Sequence, residues 1–333
     1  METVRKILLD TDPGGDDSVA LLWLANCVHQ GLAELVAVTT AAGNVSAHRT
    51  FTSASQLLAL GGLPAVPVGR GQAAETPQAD ASHIHGADGM GNLAQTLPPS
   101  RHDWLTAPTS VEVLIDTIAA HPGEVTIAAI APFTNLAQAE AQHPGILRQA
   151  QEVVLMAGAV QAPGNVTPTA EFNVWFDPAA AHTVLNSGAK IVVIPLDVTR
   201  HLIFTEAMAQ QITQAHATTP LAQFLLQLCR FMTQTALTYR ETAGVPGFLV
   251  HDAATIAYLL YPELFTFRRV NLQVETLGQW TYGQTVVDWR HQPKPAANVW
   301  LATQVDATNF FACLVADFKM LVAPAGDRAE EQT

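Results

Sequence analysis

Along residues 1–200, runs dominated by apolar residues alternate with segments of mixed apolar and polar character. The apolar runs are KILLD (6–10), ELVAVTTAAGN (34–44), PAVPVG (64–69), VTIAAIAP (125–132), EVVLMAG (152–158) and KIVVIPLDVT (190–199). Strands of this kind, lacking a polar face, suit a parallel sheet covered on both sides. Between them SVALLWLANCV, RTFTSASQLLAL, SVEVLIDTIAA, TNLAQAEAQ and PAAAHTVLNSG carry helical spacing. The last is punctuated by Asp177 as N-cap, Pro178 at the first helical position and Gly188 beyond the end. Strand–helix alternation predicts an α/β class, an open and mostly parallel sheet flanked by helices.

Beyond residue 200 the texture changes. A long helix over about 220–242 and a shorter one from His251 are followed by strand-like FRRVNLQVET, QTVVDW and NVWLATQVD, then a closing helix over 307–321. No repeat, linker or low-complexity break divides the chain, so residues 1–324 are expected to form one catalytic domain and 325–333 a polar C-terminal tail.

Hydrophobic residues make up 49% of the 333, enough for a large core. The net charge of −13 argues against a nucleic-acid surface. Cys27, Cys229 and Cys313 are scattered without a CxxC pair, as in a reduced cytoplasmic protein. No apolar stretch is long enough to span a membrane, and none reads as a signal peptide.

Charge placement matters more than its total. Asp10, Asp12, Asp16 and Asp17 fall within DTDPGGDD, between a strand and a helix that both want burial. Capping and the helix dipole account for Asp16 and Asp17. They leave Asp10 and Asp12 unexplained at a buried strand's end, where unpaired carboxylates are costly. A hard cation with oxygen ligands would neutralise them all, calcium or magnesium before zinc. An EF-hand loop is excluded, because position twelve from Asp10 is Leu21 rather than glutamate. An aspartyl phosphatase would also begin with an apolar run and DxD, but Pro13 follows where Thr or Val is usual.

Taken whole, LLDTDPGGDDSVALL resembles the DxDPGxDDxxAL fingerprint of the inosine–uridine-preferring nucleoside hydrolases, with every fixed position present. GNVTPTAEFNVWFDP (164–178) is similar to that family's ribose-binding segment, VHDAA (250–254) to its distant metal ligand and base-facing histidine, and HIHGADGMGN (83–92) to its flap. The resemblance implies a calcium-dependent N-glycosidase that splits ribonucleosides into ribose and base, in nucleoside salvage, as a homodimer or homotetramer. It implies calcium ligands Asp12, Asp17, Asp252 and the Ile130 carbonyl, with Asp12 also the base that activates water. Asp16, Asn165, Glu171, Asn173, Phe172 and Met156 would meet the substrate, and His251, Asn44 and His85 would serve the reacting centre. Two histidines, His85 and His251, lean the expected base towards pyrimidines. Gln234, Tyr239 and Phe248 are candidates for the base pocket. A magnesium-dependent nucleotide phosphohydrolase and a catalytically silent nucleoside- or ribose-binding protein remain the rival readings.

Overall fold

The computed structural model describes residues 4–72 and 79–324; the polar tail expected at 325–333 lies outside the described residues. The strands are β1 (Arg5–Thr11), β2 (Ala33–Thr40), β3 (Val68–Gly69), β4 (Val125–Ala129), β5 (Glu152–Met156), β6 (Ile191–Ile194), β7 (Ile203–Phe204), β8 (Phe248–Leu249), β9 (Phe265–Val270), β10 (Leu272–Val274), β11 (Thr285–Val287) and β12 (Val299–Val305). In the first half of the chain the α-helices are α1 (Gly15–His29), α2 (Ala47–Leu60), α3 (Ser82–His85), α4 (Ser110–Ala120), α5 (Thr134–Gln142) and α6 (Phe172–Phe176). They continue as α7 (Pro178–Leu185), α8 (Leu196–Thr199), α9 (Glu206–Thr213), α10 (Pro220–Tyr239), α11 (Ala253–Leu260) and α12 (Ala307–Val322).

Eight strands form one sheet in the order β3-β2-β1-β4-β5-β6-β12-β9, parallel except for β9 against β12. The apolar strands are explained by this arrangement. Along β1, Ile7 and Leu9 join the core beneath α1, α2, α10, α11 and α12, while Leu8 joins the opposite core beneath α4, α5 and α7. The strand order reverses direction between β1 and β4, and such a switch point opens a crevice at the strands' carboxyl ends. The aspartate cluster and Ile130 follow those two strands.

Several boundaries differ from the sequence expectation. KIVVIPLDVT is not one strand: β6 stops at Ile194, Pro195 cannot donate to the ladder, and Leu196–Thr199 turns into α8. β3 is confined to Val68–Gly69 because Pro64 and Pro67 precede it. FRRVNLQVET divides into β9, paired with β12, and β10, paired with β11. Asp177 does cap α7, Oδ1 accepting from Ala180 N at 2.9 Å, while its Oδ2 accepts from the Thr134 hydroxyl at 2.8 Å.

Candidate active site

The tight turn after β1 lets Asp16 and Asp17 begin α1 directly beside the strand end. Asp17 has no exposure to solvent; its Oδ1 accepts from Thr11 Oγ1 at 2.6 Å and its Oδ2 from Gly14 N at 2.9 Å. Asp252 comes from the far end of the chain, at the N-terminus of α11. It stands at the capping position yet makes no capping hydrogen bond. Its carboxyl instead meets Asp16 and Asp17, and oxygens of the three lie within 4.8 Å of one another.

Asp12 is buried beside this trio without belonging to it. Its Oδ2 accepts from Asn44 N at 2.7 Å. Burial pushes Asp12 and Asp252 well above the usual carboxylate range, with the charge of Asp17 next for Asp12 and that of Asp16 next for Asp252. Burial likewise raises Asp17, and raises Asp16 to about 8 with the charge of Asp17 adding to it. None of the ion pairs among the described residues involves these carboxylates. Their mutual repulsion and oxygen-only donor set fit a hard divalent cation. The Ile130 carbonyl at the end of β4 lines the same cavity and accepts from Asn173 Nδ2 at 3.1 Å.

Asp10 lies one layer deeper. Its Oδ1 accepts from Thr39 Oγ1 at 2.6 Å and Asn135 Nδ2 at 2.8 Å, while Oδ2 has no hydrogen-bond partner. Burial raises it to about 7. It ties β1 to β2 and α5 below the site.

A cavity of about 400 Å³ opens above the cluster. Asp12, Asp16, Asn44, His85, Ile130, Met156, Asn165, Glu171, Phe172, Asn173, His251 and Asp252 all line it, with Asp17 immediately beneath. Glu171, also in the lining, accepts from Gly158 N at 2.9 Å, Asn173 N at 2.7 Å and Val174 N at 3.2 Å. It therefore caps α6, a short helix the sequence reading did not anticipate, and not the following α7. Burial lifts its carboxyl to about 7. Asn173 Nδ2 also donates to the Met156 carbonyl at 3.1 Å, and Asn165 Oδ1 accepts from Phe172 N at 2.9 Å.

The two histidines approach from different elements. His85, on α3, accepts at Nδ1 from Gly15 N at 3.0 Å, which leaves the proton of the neutral ring on Nε2. His251 Nδ1 lies 2.7 Å from Thr199 Oγ1. Burial lowers His85 to about 3 and His251 to about 4.

The lining also includes Ile84, Trp175, Met232, Tyr239, Phe248 and Leu249. Tyr239 and Phe248 were expected there; exposed Gln234 is absent from the lining. Trp175, Met232 and Leu249 carry no sequence signal, since an apolar residue facing a cavity looks the same as one facing the core. His83 packs edge-to-face with Tyr239, the ring centroids 5.3 Å apart.

The family model described as inosine-uridine preferring nucleoside hydrolase matches residues 7–312. The chain belongs to that family. An inosine-uridine preferring nucleoside hydrolase of Leishmania major is 36% identical over 316 residues, covering 94% of this chain and 96% of the relative. Among solved structures, a plant nucleoside hydrolase superposes with a TM-score of 0.86 at 28% identity, over 97% of this chain and 100% of the other. A purine-preferring ribonucleoside hydrolase from Gardnerella vaginalis does so with a TM-score of 0.86 at 27% identity, over 96% and 99%. Membership in a nucleoside hydrolase family displaces the phosphohydrolase alternative. Among the described residues, no helix is long and apolar enough to cross a membrane.

Proposed function

We propose that this nucleoside hydrolase cleaves the N-glycosidic bond of ribonucleosides with calcium, releasing ribose and free base for salvage. The observation that carries this reading is the convergence of two polar sets on one cavity. Asp12, Asp16 and Asp252 line it together with Glu171, Asn173, Asn165 and His251, and Asn173 reaches the Ile130 carbonyl.

The calcium ligands would be Asp12, Asp17, Asp252 and the Ile130 carbonyl, with Asp16 close enough to take a sugar hydroxyl. Bound there, calcium would supply Lewis-acid polarisation of a water molecule. Asp12 takes the proton of the attacking water, held in place by Asn44. Glu171, Asn165 and Asn173 bind the ribose hydroxyls, and these contacts tighten as positive charge develops at the anomeric carbon. Met156 and Phe172 flank the sugar. His251 donates a hydrogen bond or proton to the departing base, and His85 closes the cavity from α3, where lid segments exclude water. Uridine and cytidine are favoured over purines, a reading supported by two histidines lining one cavity.

Ribose release, measured across uridine, cytidine, inosine, adenosine and guanosine, tests the reading. Turnover should be readily measured with the wild type and fall by roughly 10²–10⁴ in Asp12→Asn. Nucleoside binding without ribose release would instead establish a silent binder. Inosine outrunning uridine would overturn the base preference alone.

A further inference from the structure

Thr199 and His251 are fifty-two positions apart in the chain and meet through the minor sheet of β7 and β8. Antiparallel pairing of Ile203 with Leu249 and of Phe204 with Phe248 sets the two segments side by side. Val250 N then donates to the Leu202 carbonyl at 3.0 Å, extending the ladder one step towards the cavity. At its end, the Thr199 hydroxyl lies 2.7 Å from His251 Nδ1. Thr199 is fully buried as the last residue of α8, whereas His251 is only partly buried and lines the cavity. The ring's other nitrogen, Nε2, makes no hydrogen bond to a described residue.

We propose that Thr199 is a positioning residue for His251, holding the imidazole so that Nε2 addresses the leaving base. The proposal rests on the leaving-group role given to His251 above. A β-branched side chain has few χ1 options, so its hydroxyl is presented rigidly. An imidazole anchored only through its own bonds can turn about χ2, carrying Nε2 off the cavity axis. Engaging Nδ1 removes that freedom. A hydroxyl both donates and accepts, so it holds the ring whether Nδ1 is bare or protonated. The buried hydroxyl also needs a partner, and the ring supplies it.

The test compares uridine with p-nitrophenyl riboside on the calcium-loaded enzyme. A nitrophenolate leaves without help, so only the nucleoside depends on His251. Thr199→Val keeps the shape and removes the hydroxyl. It should lower kcat for uridine on the order of 10–100-fold, the usual loss when a group that orients a working side chain is removed. KM should change little, and the nitrophenyl substrate should stay within about threefold of wild type. Thr199→Ser should restore most of the uridine rate. Thr199→Ala, which cannot overpack the site, should behave as the valine variant does and serves if that variant fails to fold. In a His251→Ala background, Thr199→Val should cost nothing further, because coupled residues are not additive.

Two results overturn the proposal by itself. One is wild-type uridine turnover in Thr199→Val or Thr199→Ala. The other is equal slowing of both substrates in those variants while His251→Ala remains selective for uridine. If His251→Ala slows both substrates equally, the leaving-group reading fails and this proposal falls with it.

Discussion

Asn44 holds Asp12 at two points. Its backbone N–H donates to Asp12 Oδ2 at 2.7 Å, and its side-chain amide donates to the Asp12 carbonyl at 3.0 Å. The same amide reaches Asp17 Oδ2 at 3.0 Å. One neutral residue from the turn after β2 thus fixes two acidic residues that repel each other. Asn44→Ala keeps the backbone bond and loses the others, so kcat should fall on the order of 10–100-fold with the fold retained. Gly43→Ala should be as damaging, because a Cβ there collides with Asp12 Oδ2. Wild-type kcat in both variants, measured with uridine, would remove Asn44 from the machinery.

Calcium should stabilise the protein as well as activate it. The proposed ligands Asp12, Asp17 and Asp252 are all buried, and Asp17 and Asp252 place carboxylate oxygens within 4.8 Å of one another. A cation that binds only the folded state raises stability by about 2.7 kcal/mol at a hundred times its dissociation constant. Thermal unfolding of chelated protein should therefore shift upwards and saturably with added calcium, and ribose release should return alongside it. An unchanged melting temperature and full activity in verified metal-free protein would exclude a metal.

Discrimination should be sharper at the sugar than at the base. Glu171, Asn165 and Asn173 are polar groups facing the cavity, and a missing hydroxyl leaves its partner unpaired. Sites built to hydrogen-bond a hydroxyl reject analogues lacking it by up to about 10⁴-fold. Uridine should outrun 2′-deoxyuridine in kcat/KM by a factor approaching that value, mainly through kcat. Comparable values for the two would falsify the assignment of these residues to the ribose.

Glu171 should make ligand-free stability fall as pH rises. Its carboxyl moves from an ordinary 4.5 to about 7 because burial disfavours the charge. Between those values the folded state holds a proton that the unfolded chain has released. Raising the pH through this window then costs about 3 kcal/mol, and the stabilisation is full only below 4.5. Glu171→Gln cannot ionise, so its melting temperature should fall less than the wild type's between pH 5 and pH 8. Parallel pH profiles for the two proteins would show that Glu171 is already charged when folded.

The sequence by itself determined the fold class and most of the acidic half of the site. Strands such as VTIAA and EVVLM show no alternating polar face, and burial on both faces accounts for that. Four aspartates at a buried strand's end are legible for the converse reason: charge there is costly unless something neutralises it, so it signals chemistry. The motif resemblance extended this to Glu171, Asn173 and His251. Tertiary structure decided what depends on partners. Asp16 rather than Asp12 shares the close carboxylate trio with Asp17 and Asp252, because the turn and α11 set the distances. FRRVNLQVET reads as one strand, but its halves join different sheets, since pairing partners leave no mark on a strand's own periodicity. Trp175 and Met232 line the cavity while looking like core, as both settings remove apolar surface from water. Thr199 was hidden inside a run that read as a strand. Only the pairing of β7 with β8 brings its hydroxyl to His251.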